Sequence, residues 1–191
     1  YLWETQQQPP YDLFYHHSNI RLLYKFLPKT SVYVSADNVA YTYRNTAEAA
    51  TFNRPNGYPL RIVAGLNGLI TSKLAFDIYG GYLNGFYSYG PSPNTGIAGL
   101  SLTWKPLALT SLTLAYRHDA LNALLGVYAN YDNLSASVLQ QVWRFAGFLR
   151  LAYQNTRYEG IVAGSSVVNS DGLPTSTRTD NQFVLNARVD Y

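Results

Sequence analysis

The stretch HHSN, residues 16–19, holds the residue types in this chain that could do chemistry. In an extended strand, residues two positions apart project from the same face, so His16 would stand beside Ser18. A histidine in that position can act as the base that activates a serine hydroxyl for hydrolysis. Such a pair also needs a third group that orients the imidazole, and the sequence identifies none. We therefore expect polar interface or loop side chains here, and a hydrolase is the third functional hypothesis.

The other chemically active residue types form no catalytic or metal-binding pattern. The chain has no cysteine, which excludes disulfides, thiol nucleophiles and thiolate metal sites. The 3 histidines give no convincing set of metal ligands, and the carboxylates are scattered. Arg117 and Asp119 flank His118 on one strand face, where we expect them to form an ion pair near a rim. The sequence predicts neither enzyme activity nor a cofactor.

Charge is scarce and tyrosine is frequent in this chain of 191 residues. It has 18 tyrosines, and charged residues make up 13% of the sequence, against about 25% in soluble domains. Lys and Arg are scattered singly and the formal net charge is +3, so a nucleic-acid partner is not expected. No apolar run approaches the roughly 18 residues of a membrane-spanning helix. The chain therefore has fewer charged residues than the hydrated surface of a soluble domain normally carries.

Apolar residues recur at every second position in most of the chain, which is the period of a β-strand. In RLLYKFLPKTSVYV, residues 21–34, leucines and aromatics alternate with Arg21 and Lys25 until Pro28 predicts a turn. Repeats of this pattern predict about nine strands. In the segment that follows, the apolar parity shifts, which predicts a β-bulge near Asp37 and Asn38.

Short and long links alternate between the predicted strands. Short links are predicted at 27–30, 71–73, 105–109 and 143–147, and long ones at 45–59, 89–96, 119–128 and 158–181. Antiparallel meanders with short turns at one end and long loops at the other are typical of transmembrane barrels. A soluble sandwich or a lipocalin-like barrel also has one apolar and one polar face. The link rhythm and the strand lengths favour the membrane barrel.

We therefore predict an all-β fold, a transmembrane antiparallel meander β-barrel with residues 1–191 forming one domain. Tyrosines and other aromatics crowd the predicted strand ends, where membrane barrels carry an aromatic girdle. The girdle candidates are Tyr24, Phe26, Tyr41, Tyr43, Tyr82, Phe86 and Trp104.

The opposite parity carries the charges, which a water-filled lumen can hold without the cost of lipid exposure. The lumen-facing candidates are Arg21, Lys25, Arg61, Lys73, Asp77, Arg117, Asp119, Arg150, Arg188 and Asp190. Cations outnumber carboxylates in this set, so we expect the lumen to attract anionic solutes or acidic glycans. Tyr79 and Tyr87 are predicted to stack on sugar rings. A lumen packed with side chains is the alternative.

Four runs resemble the β-barrel porin families of Gram-negative outer membranes, in particular myxobacterial and other deltaproteobacterial ones. The runs are YKFLPKTSVYV, GGYLNGFYSYG, LTSLTLAYRHDALNALLGVYANYDNLSASVLQQV and LRLAYQNTRYEG. The resemblance implies a barrel of about 16–18 strands, of which this chain would be a part, and bacterial single-chain barrels have even strand numbers. Some members of these families are similar to barrels of polysaccharide export. The ending FVLNARVDY instead favours a complete barrel of eight or ten strands, because it is similar to an outer-membrane assembly signal.

Three functions follow as hypotheses for the bacterial outer membrane. The first is a porin-like passive conduit for solutes or a secreted polysaccharide, surrounded by the lipid bilayer and lipopolysaccharide. The second is an anchoring barrel that binds other envelope proteins in a larger complex. The third is an outer-membrane hydrolase built on HHSN.

Overall fold

A computed structural model of the chain describes residues 13–44, 55–123, 127–161 and 177–191. Within these ranges the chain forms nine antiparallel strands and no helix. The strands are β1 (Leu13–Leu27), β2 (Thr30–Tyr43), β3 (Leu60–Thr71), β4 (Leu74–Asn84), β5 (Asn94–Trp104), β6 (Thr110–Asn122), β7 (Tyr128–Val142), β8 (Phe145–Glu159) and β9 (Thr177–Asp190). In the described part of the chain, no helix is long and apolar enough to cross a membrane.

The nine strands form a single sheet in which every strand pairs with its neighbours in sequence. This confirms the predicted nine-stranded antiparallel meander. Across the described residues, β1 pairs with β2 alone and β9 pairs with β8 alone. The sheet is therefore open, with two long edges.

The links between the strands agree with most of the predicted rhythm. The links after β1, β3 and β7 contain two residues each, and residues 85–93 form a longer link. The predicted links 45–59 and 158–181 lie largely outside the described residues. The prediction was wrong for 119–128, because β6 and β7 extend further than expected and leave only residues 123–127 between them.

Cross-strand register shows that the sheet has one polar and one apolar face. Residues directly opposite each other in a ladder project from the same face. Asn19 lies opposite Asp37, and Asp37 lies opposite Arg61. The same tracing through all eight ladders places nine of the ten lumen candidates on this polar face. Lys73 is the exception, because it lies in the turn before β4.

The prediction of a β-bulge in β2 is wrong. The register between β1 and β2 runs without a shift from Leu13↔Tyr43 to Lys25↔Ser31. Tyr41 and Tyr43 therefore project from the polar face with Asp37, and are only 4% and 6% exposed. Their assignment to the girdle is corrected, because their rings pack against each other and against Tyr87.

The polar face is the concave side of the sheet. Arg61 of β3 forms an ion pair with Asp119 of β6, three strands away. Neighbouring strands lie about 4.8 Å apart, so a flat sheet would separate these two backbones by about 14 Å. The contact needs a sheet that curls towards its polar face. Tyr33 of β2 likewise reaches Asp77 of β4, with 3.3 Å between the hydroxyl and the carboxylate.

The apolar face is the convex side, and its side chains are exposed or half-buried. One row crosses six strands along paired positions, formed by Phe76, Leu102, Leu114, Ala136, Leu151 and Leu185. Several aromatic residues on this face lie towards the ends of the strands. Tyr24, Phe26 and Trp104 lie near the short turns and Tyr82 lies near a long link, whereas Tyr116 and Tyr153 lie close to the middle of β6 and β8.

Two glycines on the polar face leave room for tyrosine rings from the neighbouring strand. Tyr33 covers Gly65, and Tyr79 covers Gly99, so a methyl group at either glycine would collide with the ring. Gly80 is a natural control, because a methyl group there would meet no heavy atom within 4 Å.

We expect Gly99→Ala to lower the free energy of unfolding by about 1–3 kcal/mol, because the added methyl displaces Tyr79. Gly80→Ala should change this free energy by less than about 0.5 kcal/mol. Urea unfolding in detergent or lipid, followed by tryptophan fluorescence, measures both. Equal effects of the two substitutions would contradict a role for the ring–glycine contact.

Candidate functional site on the concave face

The candidate site is a cavity of about 540 Å³ on the concave polar face. Its lining comes from β1, β2, β3, β4, β6 and β7 and includes four of the predicted lumen residues. These are Arg21, Arg61, Arg117 and Asp119. Strands far apart in sequence thus bring three cations and a carboxylate together.

Asp119 is the centre of the cavity's charge network, and its side chain is only 1% exposed. Arg117 donates to its Oδ2 from Nε at 2.9 Å and from Nη2 at 2.6 Å, which confirms the predicted ion pair. Arg61 contacts the same oxygen through Nη2. The backbone N–H of Ala120 donates to Oδ1 at 2.8 Å. The buried carboxylate therefore ties β3 to β6.

The C-terminal end of β6 and the N-terminal end of β7 bend over the concave face. The β5–β6 ladder stops at Ala98↔His118, whereas the β6–β7 ladder continues to Asn122↔Tyr128. Beyond His118, Ala120 packs into a buried cluster with Tyr33, Val63, Leu83 and Ile97. The β6–β7 hairpin has thus separated from β5, and Asp119 fixes it in place. The hairpin therefore narrows the space enclosed by the concave face.

Arg21 is positioned on the opposite side of the cavity by an aromatic ring. Its guanidinium carbon lies 4.0 Å from the centroid of the Tyr33 ring, a distance at which cation–π attraction is favourable. Within the described ranges, Arg21 forms no ion pair. Asp37 accepts hydrogen bonds from His17 at 2.7 Å and from Asn19 at 3.1 Å.

The remaining lumen candidates lie outside this cavity. Lys25, Asp77, Arg150 and Arg188 are on the polar face, and Arg188 pairs with Asp190 at 2.9 Å. Lys73 donates from Nζ to the backbone oxygen of Pro106 at 2.8 Å. The prediction for Lys73 is corrected, because a turn rather than a strand carries it and a turn carbonyl holds its ammonium group.

The possible nucleophilic pair lies on the other side of the sheet. His16 Nε2 and Ser18 Oγ are 2.9 Å apart, as their spacing predicts, but both residues share the apolar face with Ile20. No carboxylate reaches His16 in the described part of the chain. The neighbouring His17, on the polar face, is the one that meets Asp37. Among the described residues, no group therefore orients His16 as a catalytic triad requires.

The girdle candidates other than Tyr41 and Tyr43 are exposed. Tyr24, Tyr82 and Trp104 project from the apolar face, as does Phe26 at its edge, while Phe86 lies in the link after β4 with a positive φ of 44°. Trp143 was not among the predicted girdle residues, although it is 80% exposed in a short turn and packs beside Phe145. Its position in a predicted short link was the signal in the sequence that could have identified it.

The two tyrosines predicted to stack on sugars are engaged with the protein. The ring of Tyr79 covers Gly99, and the ring of Tyr87 packs edge-on against Tyr41 with 6.0 Å between centroids. Burial raises the pKa of Tyr87 to about 12. Tyr87 is thus packed within an aromatic cluster, whereas Tyr79 also lines the cavity and its stacking on a sugar stays a prediction.

A polar cluster on the apolar face was not predicted. Asp132 accepts a hydrogen bond from the Tyr116 hydroxyl at 2.6 Å and lies 2.8 Å from His118 Nδ1. The three residues lie on adjacent strands near the long links. Among the described residues, no group of three His, Asp or Glu side chains is arranged to hold a metal ion.

The sequence and the fold were compared with known proteins. No protein-family model, curated protein or solved structure matches this chain.

Proposed function

We propose that this chain forms part of the wall of an outer-membrane β-barrel, and that the lumen of this barrel is a passive conduit for anionic solutes or a secreted polysaccharide. The observation that carries this proposal is the division of all nine strands into an exposed apolar convex face and a charged concave face. No bond is made or broken in this function. Size and charge select the permeating species.

The convex face is better suited to lipid than to water. Every strand contributes at least one exposed large apolar side chain to it, whereas the largest apolar patch on a soluble monomer covers about 300–600 Å². Each strand has 11 to 15 residues, and about 9–11 residues suffice for a tilted transmembrane strand. Backbone groups in hydrocarbon must all be paired, which a closed sheet achieves.

The aromatic residues on the convex face support the same interpretation. Tyr24, Phe26 and Trp104 lie towards the short turns and Tyr82 lies towards a long link. Tyrosine and tryptophan prefer the two membrane–water interfaces, because they combine an apolar ring with a polar group. Lipopolysaccharide would contact the convex face on the side of the long links.

The directions of the two edge strands favour a larger barrel. Because the strands alternate in direction, β1 and β9 run the same way. Direct closure would therefore place them side by side in parallel, whereas bacterial single-chain barrels are antiparallel with even strand numbers. An odd number of further strands between the two edges restores antiparallel pairing throughout. A total of about 16–18 strands, as in the porin families that the sequence resembles, meets this condition.

The conduit is tested by single-channel conductance in planar bilayers. We expect open channels that prefer anions, because the concave face carries more cations than carboxylates. Arg150→Glu should shift the reversal potential towards cation preference. Lys73→Glu is the matched control, since it makes the same change of charge in a turn outside the strands, and it should shift the potential much less. A membrane-inserted protein without conductance would contradict the proposal.

A second candidate is an anchoring barrel that binds other envelope proteins. The packing of Tyr33, Val63, Leu83 and Ile97 on the concave face favours it, because such a cluster fills space that a wide pore would leave open. A tightly co-purifying partner together with a silent bilayer recording would support this candidate over the conduit.

A further inference from the structure

The arginines in the cavity on the concave face differ in whether a carboxylate pairs with them. Arg61 and Arg117 share the carboxylate of Asp119. The other carboxylate in the lining, Asp37, is hydrogen-bonded to His17 and Asn19. Three arginines against two carboxylates give the lining a formal net charge of +1. Of the three, Arg21 is the one without an ion pair among the described residues.

The guanidinium of Arg21 is held so that its donors remain available. It lies against the face of Tyr33, whose ring covers Gly65 and whose hydroxyl donates to Asp77 at 3.3 Å. A guanidinium stacked on a ring keeps the N–H groups in its plane free. These groups match the two oxygens of a carboxylate in a bidentate hydrogen-bonded pair.

The volume and the lining of the cavity suit a solute larger than an inorganic ion. About 540 Å³ falls within the range of roughly 300–1,000 Å³ for small-molecule sites. Ser35, Tyr79 and Tyr131 add hydroxyl groups to the lining, and hydroxyls can exchange hydrogen bonds with those of a sugar. Asp119 already shows that arginines at this site hold a carboxylate.

We propose that this cavity binds a sugar unit that carries one carboxylate, and that Arg21 is the residue that recognises the carboxylate. The proposal rests on the proposed function, since such a sugar would be a unit of the permeating solute or glycan. The fixed pair Arg61–Asp119 would hold the cavity open between the β6–β7 hairpin and the wall of β1–β4.

The test is calorimetric titration of the detergent-solubilised protein with D-glucuronate, D-glucose and acetate. We expect glucuronate to bind at least about tenfold more tightly than glucose, because the carboxylate adds charge-assisted hydrogen bonds. Arg21→Gln should weaken glucuronate binding by at least about tenfold and leave glucose binding unchanged. Lys25→Gln, which removes a charge from the same strand face outside the cavity, should change neither.

Three results would overturn the proposal. The first is equal affinity for glucuronate and glucose, or no binding of either. The second is equal loss in Arg21→Gln and Lys25→Gln, which would indicate a diffuse electrostatic effect. The third is acetate binding as tightly as glucuronate, which would indicate a simple anion site. Matched thermal unfolding curves for both variants show that loss of fold does not cause the effect, since both side chains are exposed.

The titration separates this proposal from the conduit itself. Binding of glucuronate by a protein that does not conduct would support the binding site and contradict the conduit. Conductance by a protein that does not distinguish glucuronate from glucose would support the conduit and contradict the binding site.

Discussion

Leu100→Arg is expected to prevent stable insertion of the sheet into a bilayer or to lower its stability there by about 2–4 kcal/mol. Leu100 lies near the middle of β5 on the convex apolar face, paired with Ile78 and Tyr116. An arginine on the lipid face near the bilayer midplane costs this amount because its charge loses water. Urea unfolding in lipid vesicles, together with the fraction of protein that assembles, measures the effect.

Ser101→Arg is the matched control, since it introduces the same side chain one residue away on the concave face. Ser101 lies opposite Asp77, so the new cation gains a carboxylate neighbour. We expect this variant to insert and unfold like the parent protein, within about 1 kcal/mol. If both variants assemble equally well, the convex face is not in contact with hydrocarbon.

Asp119→Leu is expected to destabilise the protein by about 2–4 kcal/mol and to release the β6–β7 hairpin from the concave face. Removing one partner of a buried ion pair typically costs about 3–5 kcal/mol, because the remaining charges lose their compensation. The lower figure follows because Arg61 and Arg117 keep 25% and 49% of their side-chain exposure. Water can therefore solvate them in part.

Hydrogen exchange shows whether this loss is local. We expect faster exchange of the amides at 119–122 in Asp119→Leu, while the β1–β2 ladder keeps its protection. Asp180→Asn is the control, because Asp180 pairs with Arg178 at 2.6 Å in an exposed position, and should cost no more than about 1 kcal/mol. If the two variants lose the same stability, Asp119 does not hold the hairpin.

Much of the fold could be predicted from the sequence, because a strand's period depends on local residues alone. Arg21 and Lys25 alternate with apolar residues, and this alternation fixes their face whatever the rest of the sheet does. The same reasoning placed Arg117 and Asp119 together on one face, where they form the predicted pair. Period-two patterns therefore identified both faces and the number of strands.

The errors arise where tertiary packing decides the outcome. Tyr41 and Tyr43 were assigned to the convex face because apolar residues in a strand suggest the apolar side, yet they pack with Tyr87 inside. The contact between Arg61 and Asp119 depends on the curl of four strands, which no local pattern encodes. Lys73 was misplaced because the turn includes it and β4 begins only at Leu74, one residue later than the alternation suggests.

The most direct test uses the absence of cysteine, which allows single spin labels without background. Labels at Leu66→Cys, Leu102→Cys and Leu151→Cys report on the convex face, and labels at Asn67→Cys and Ser101→Cys report on the concave face. In lipid vesicles, collisions with oxygen identify hydrocarbon and collisions with a water-soluble nickel chelate identify water. We predict high oxygen accessibility for the first three positions and high nickel accessibility for the other two. Equal nickel accessibility at all five positions would show that the leucine rows do not face lipid.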